Sequence, residues 1–200
     1  MNCYIYWDEN TKEGVIIDPG AYEDSEKEEI LNYAKSNGID IKLILLRHGH
    51  IDHIMGNKWA VDTFALPVLM HKDDLPLIDR AMDQAAMFGV QFPKPPAPDR
   101  FIDESDVIKV SGNEFKIIHT PGHSPGSVCF IDEKEKVIFG GDTVFRGSVG
   151  RTDLWMGDMD VLLDSIQNKI FKFPDDFVIY PGHMEETTIG EEKESNPFLQ

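Results

Sequence analysis

Four potential metal ligands fall within six residues in the stretch Arg47-His48-Gly49-His50-Ile51-Asp52-His53. The apolar run Ile41-Lys42-Leu43-Ile44-Leu45-Leu46 leads into them and reads as a short buried strand. Side chains alternate along an extended chain, so His48 and His50 point the same way and can chelate one ion. First-row ions such as zinc take imidazole nitrogen and carboxylate oxygen, and a catalytic site keeps one coordination position open for water. A packing role explains the cluster poorly. Every buried imidazole needs partners for both ring nitrogens, and neighbours this close compete for them.

A catalytic ion needs donors from elsewhere in the chain as well. His123 and His183 both sit in Pro-Gly-His turns, Pro121-Gly122-His123 and Pro181-Gly182-His183, each following an apolar strand-like run. Between them, Val137-Ile138-Phe139-Gly140-Gly141-Asp142 is a strand that ends by presenting a carboxylate at a glycine-softened turn. Donors at strand ends converge on one edge of a sheet. His71 closes a further strand, 67–71, and is read as a packing or hydrogen-bonded residue and not as a ligand.

The surrounding elements must hold these donors in place. Val15-Ile16-Ile17-Asp18-Pro19-Gly20 closes a hairpin with residues 3–7 around Glu9-Asn10. Ser25-Glu26-Lys27-Glu28 matches a capping box and starts a helix that runs to Asn37, with Ile30, Leu31 and Ala34 inward and Gly38 ending it. The acidic run 23–29 is a solvated face that matches the helix dipole. A second helix covers 57–64. Residues 72–90 predict a helix interrupted at Pro76 and ended near Gly89, and the following Phe92-Pro93-Lys94-Pro95-Pro96-Ala97-Pro98 excludes helix and central strand. Within this 72–98 insertion, Met82, Met87, Phe88 and Phe92 are either ordinary core or an adaptable apolar wall beside the metals. Hairpins follow at 106–110 with 114–119 and at 127–132 with 136–141. Residues 160–170 form an amphipathic helix with Val161, Leu162, Ile166 and Ile170 inward, and 177–180 is the last strand. No repeat or linker divides the chain, so residues 1–200 are expected to make one domain of two hairpin-rich halves.

Composition narrows the partners. A net charge of −17 repels phosphate backbones and argues against nucleic acid. Apolar runs reach only strand length, so no membrane span is expected. The opening Met1-Asn2-Cys3-Tyr4-Ile5-Tyr6-Trp7-Asp8 lacks a basic region and a long apolar core, which predicts no secretory signal and a cytoplasmic location. Cys3 and Cys129 are too few and too far apart for a disulfide framework or a Cys-based metal site.

The ordered set His48-x-His50-x-Asp52-His53, His123, Asp142 and His183 resembles the metallo-β-lactamase superfamily, from about residue 2 onward. The flanks His119-Thr120-Pro121-Gly122-His123-Ser124-Pro125-Gly126-Ser127, Gly141-Asp142-Thr143-Val144-Phe145 and Pro181-Gly182-His183 are similar to the glyoxalase II-type hydrolases. So is the tail, Thr187-Thr188-Ile189-Gly190-Glu191 and Asn196-Pro197-Phe198-Leu199. Arg47 departs from that group, which usually has threonine at this non-ligand position. The sequence also stops at Gln200, where full-length glyoxalase II enzymes continue into a helical domain that helps hold glutathione.

The resemblance implies an α/β (α+β) fold, a four-layer αβ/βα sandwich. It implies two divalent ions, zinc first with iron or manganese as alternatives. His48, His50 and His123 hold one, Asp52, His53 and His183 the other, and Asp142 bridges. It further implies a metal-bridging hydroxide as nucleophile, with Asp52 and Asp142 as the catalytic carboxylates, acting on a small-molecule thioester of the hydroxyacylglutathione (S-lactoylglutathione) type. Other small thioesters or esters are alternatives. Arg146 and Arg151 could hold a substrate carboxylate; for Arg151 an ion pair with Asp153 or Asp158 is an equal reading. The nearest rival is the persulfide dioxygenase group, mononuclear iron oxidoreductases that share Gly150-Arg151-Thr152-Asp153 but usually carry Pro-Ala-His where this chain has Pro181-Gly182-His183. The commonest class B β-lactamases place cysteine at the position of Asp142 and are exported, and diiron flavoproteins carry glutamate at that of His50. Both differences count against those two activities.

Overall fold

Tyr4–Trp7 (β1) and Glu13–Ile17 (β2) form the first hairpin in antiparallel register, Tyr4 opposite Ile17 and Trp7 opposite Gly14. These coordinates are a computed structural model that describes all residues, 1–200. Asp24–Asn37 (α1) follows, and its start lies two residues ahead of the expected box: Glu26, and not Glu28, accepts from the backbone amides of Tyr22 and Glu23 at 2.8 and 2.9 Å. Glu26 wins because the turn after Gly20 frees those two amides first, and Ser25 is then already inside the helix. Gly38 ends it in the left-handed conformation, φ 65°.

Asp40–Leu45 (β3) lies parallel to β2, with Ile44 and Leu45 wholly buried as the apolar run requires. After it come Ile51–Ile54 (α2), Asn57–Phe64 (α3), Val68–Met70 (β4), Leu75–Asp79 (α4), Ala81–Phe88 (α5) and Arg100–Phe101 (β5). Pro76 does not interrupt a helix. It sits in the first turn of α4, where a missing N–H costs nothing, and the break falls at Arg80. The sheet runs β1-β2-β3-β4-β5. Ala34 of α1, Ala60 of α3 and Ala81 and Ala85 of α5 pack with Ile16, Ile44 and Met70 of the sheet in one buried cluster. Alanines on those helices let backbone and sheet approach closely. Of Met82, Met87, Phe88 and Phe92, only Phe92 joins this core; the other three are exposed.

The strands Val107–Val110 (β6), Asn113–His119 (β7), Val128–Asp132 (β8) and Val137–Gly141 (β9) continue the chain. Two-residue strands Val144–Phe145 (β10) and Ser148–Val149 (β11) make a small hairpin, followed by Met159–Asn168 (α6), Val178–Pro181 (β12), Thr187–Thr188 (β13) and Ile189–Ser195 (α7). This sheet has the order β13-β12-β9-β8-β7-β6, with β12 parallel to β9. Leu162, Ile166 and Ile189 of α6 and α7 pack with Cys129, Ile131, Ile138 and Ile179 of the sheet. Each side chain of this size is worth about 1.5–3 kcal/mol when removed from water. Leu162, Ile166 and Ile170 are buried as expected, but Val161 lies at the edge of that face and is exposed; its amide donates to the Asp158 carboxylate that caps the helix.

By contact the chain divides into two compact units, the first comprising Met1, Cys3–Phe101 and Lys109–Asn113 and the second Asn2, Ile102–Ile108 and Glu114–Gln200. Asn2 is tied to the turn that bears His183: its amide donates to the Gly182 carbonyl at 2.6 Å, and its side chain donates to Met184 at 2.7 Å and Pro181 at 3.3 Å. No helix is long and apolar enough to cross a membrane.

Candidate functional site

In the first unit His48 and His50 lie in the loop between β3 and α2, and Asp52 and His53 lie within α2. His48, His50 and His53 are buried, and the Asp52 carboxylate is the open member, 40 % exposed. The rings of His48 and His50 lie 5.0 Å apart edge to face, and those of His48 and His53 lie 3.9 Å apart. His53 Nε2 stands 3.6 Å from an Asp52 oxygen. Ligands bound tetrahedrally at 2.0–2.1 Å are separated by roughly 3.4 Å, so this pair has the spacing of two donors to one ion. Asp74 pins the loop from below, accepting from the Gly49 amide at 2.8 Å.

Behind this cluster lies a charged network that the sequence did not reveal. Asp18 accepts from His53 Nδ1 at 2.6 Å, from Arg47 Nε at 2.7 Å and from the Arg47 amide at 2.7 Å, all of it without solvent exposure. With its Nδ1 proton held there, His53 turns the Nε2 lone pair toward Asp52. Burial raises the Asp18 carboxyl, but the Arg47 guanidinium and His53 together hold it below the ordinary carboxylate value. The nearby Cys3 thiol moves the other way: burial, then the Asp18 charge, pushes it up to about 12, so it stays protonated. Only the Asp-Pro-Gly turn could have drawn attention to Asp18, and Arg47 gave no signal beyond being an unusual residue beside a ligand.

In the second unit two imidazoles converge on one carboxylate oxygen. His123 Nε2 and His183 Nε2 each lie 3.5 Å from the same Asp142 oxygen, again the spacing of co-ligands. His123 donates its Nδ1 proton to the Arg151 carbonyl at 2.7 Å, which fixes the tautomer that leaves Nε2 free to coordinate. Asp142 and His123 are buried, whereas His183 is 37 % exposed. The backbone packs closely around them. A Cβ on Gly150 would stand 1.8 Å from the Asp142 carbonyl oxygen, and one on Gly122, at φ 133°, would stand 2.3 Å from the backbone of Leu162. Gly122→Ala is therefore expected to cost several kcal/mol and to move the His123 turn, because both its φ and the space around it exclude a side chain. Urea unfolding checks this; a midpoint within about 0.5 kcal/mol of the parent would refute it.

The remaining candidates have other partners. His71 Nδ1 accepts from the Asp73 amide at 3.3 Å. His119 Nε2 donates to the Pro125 carbonyl at 2.7 Å. Arg151 forms a two-pronged pair with Asp153, at 2.7 and 2.8 Å. Arg146 lies 3.2 Å from Glu185. Both arginines are thus placed in exposed ion pairs. The donor set as a whole, imidazole nitrogens and carboxylate oxygens at co-ligand spacing, suits divalent first-row ions.

Comparison with known proteins agrees with this chemistry. The hydroxyacylglutathione hydrolase GloC of Haemophilus influenzae is 38 % identical over 201 residues, covering 100 % of this chain and 92 % of GloC. The crystal structure of the BLEG-1 B3 metallo-beta-lactamase superposes with a TM-score of 0.90 at 38 % identity, covering 99 % of this chain and 93 % of that one. That of TTHA1623 in a di-iron-bound form gives a TM-score of 0.86 at 39 % identity, covering 99 % and 94 %. The family model of the metallo-beta-lactamase superfamily matches residues 2–183, and with the mixed α/β fold and the donor sets described above, the chain belongs to that superfamily.

Proposed function

We propose that this chain is a dinuclear metal-dependent thioesterase acting on small thioesters of the hydroxyacylglutathione type. The observation that carries the reading is the pair of donor sets, His48, His50, Asp52 and His53 in one unit and His123, Asp142 and His183 in the other, with His53–Asp52, His123–Asp142 and His183–Asp142 at co-ligand spacing. The 38 % identity to GloC along the full chain supports the substrate class. In this reading His48, His50 and His123 hold one ion, Asp52, His53 and His183 the second, and Asp142 is shared.

Two such ions would supply Lewis acidity at the scissile carbonyl and lower the pKa of a water toward neutrality. The chain's own residues do the rest. Asp18 and the Arg151 carbonyl each hold one Nδ1 proton, on His53 and His123, so that both Nε2 atoms are basic and correctly aimed. Asp52 and Asp142 would offset part of the charge of the bound ions, and the positive charge left over would favour a developing oxyanion. A thiolate is a good leaving group, so no strong general acid is required.

The likeness to BLEG-1 adds β-lactam amides as a second substrate class, and the di-iron form of TTHA1623 adds iron to the metals worth testing. The experiment is elemental analysis of the purified protein, with thioester hydrolysis, β-lactam hydrolysis and oxygen uptake measured on the same sample. About two metal ions per chain and thioester turnover are expected. A single iron per chain with oxygen consumption on a glutathione persulfide would overturn the hydrolase in favour of the oxidoreductase.

A further inference from the structure

The first unit contains a cavity of about 610 Å³ that no role described so far uses. It lies within the size range of small-molecule sites, about 300–1,000 Å³. One end is lined by Asp52, the most exposed of that unit's donors. Its walls come from three elements: Tyr4 and Ile5 of β1, Ile30 and Tyr33 of α1, and Met55 just after α2. Tyr22, in the turn after β2, completes them. Tyr22 and Tyr33 keep 41 % and 47 % of their surface exposed, an aromatic pair left in water beside a concave site.

The charge of the lining is one-sided. None of the lining residues is lysine or arginine, while Glu26, Glu29 and Asp52 are carboxylates. Glu26 is engaged in holding the amides of Tyr22 and Glu23; Glu29 is exposed. The one cationic group in the lining is the α-ammonium of Met1, set against three carboxylates, so the lining as a whole disfavours a ligand carboxylate, whereas its aromatic rings, methionine side chains and Cys3 thiol fit an uncharged apolar group. The 72–98 insertion, the other segment rich in Met and Phe, does not contribute: Met82, Met87 and Phe88 are exposed and none lines this cavity.

We propose that this cavity receives the uncharged apolar acyl arm, aliphatic or aryl, of a thioester whose carbonyl is presented beside Asp52, and that it discriminates against arms carrying a carboxylate. The proposal rests on the thioesterase reading above. It makes Tyr33 and Glu29 determinants of specificity, acting on which thioester is bound and not on the chemical step.

The test uses the metal-loaded protein and two thioesters of N-acetylcysteamine, one with a phenylacetyl and one with a succinyl arm. The phenylacetyl thioester is expected to have the higher kcat/KM. Tyr33→Ala should raise its KM by roughly tenfold with kcat little changed, and Tyr33→Phe should keep the parental KM. Glu29→Lys should narrow the preference against the succinyl arm by roughly two- to fivefold, the scale of an exposed charge. Equal kcat/KM for the two arms in the parent, or an unmoved KM in Tyr33→Ala, would overturn the assignment. Calorimetric binding of the phenethyl thioether of N-acetylcysteamine, which cannot be hydrolysed, separates the two levels. Tyr33-dependent binding without any thioester turnover would sink the thioesterase and leave the cavity as an apolar ligand site. Turnover with Tyr33-independent thioether binding would do the reverse.

Discussion

Replacing Asp142 by alanine is expected to lower turnover on the order of 10³-fold or more and to leave the protein with less than its full complement of metal. One oxygen of this carboxylate stands 3.5 Å from Nε2 of both His123 and His183, so in the proposed centre its loss removes the group that the two imidazoles surround. The carboxylate is also a charge. Without it, a bound dication has one less anion to offset it and two imidazoles with nothing between them. Asp142→Asn separates the contributions, since it keeps the shape and one coordinating oxygen while removing the charge. The measurement is metal content by elemental analysis beside thioester turnover. Near-parental turnover at two ions per chain in Asp142→Ala would show that the carboxylate is not part of the centre.

The second large effect is on stability. Arg47→Met is expected to destabilise the fold by about 3–5 kcal/mol, the cost of removing one partner from a buried charge pair. The guanidinium has no solvent exposure and, together with the His53 imidazole, faces the Asp18 carboxylate. Methionine fills similar volume, so the loss reads out the charge and not a cavity. Adding Asp18→Asn should recover part of it, because the carboxylate no longer needs a counter-ion. Urea titration of the single and double variants measures both. A loss below about 1 kcal/mol for Arg47→Met, or no recovery in the double variant, would show that the pair is not what holds the loop.

The candidate donors are legible because their spacing is local. His48, His50, Asp52 and His53 fall within six residues, and His123, Asp142 and His183 follow strands whose apolar runs are easily read. The network behind them was not legible. Asp18 and Arg47 are 29 residues apart, and only the parallel pairing of β2 and β3 brings their strand ends side by side. Arginine beside a ligand looked like a neutral replacement for threonine; in the fold it is a buried counter-ion. The errors in the helices have the same origin. Periodicity finds the buried face, as Leu162, Ile166 and Ile170 show, but not its edges, where Val161 is exposed, nor the first residue of a helix, which at Glu26 the turn 20–23 sets. The insertion was misread for a different reason. Met82, Met87 and Phe88 are apolar by type, but α5 offers its buried face through Ala81 and Ala85.

The hold of Asn2 on the His183 turn joins positions about 180 residues apart in the chain. Closing a loop of that length costs roughly 2.5 kcal/mol more in chain entropy than closing one of ten residues. Three hydrogen bonds return about 1 kcal/mol each, so the two nearly cancel. In kinetic terms these contacts cannot help the chain find its fold: their entropy must be spent before they form, so they arise only once the strands on either side have brought the ends together. The His183 turn itself is already held by the Gly182 amide donating to the Gly141 carbonyl at 2.7 Å, so Asn2 docks onto a formed turn and acts as a tether on it.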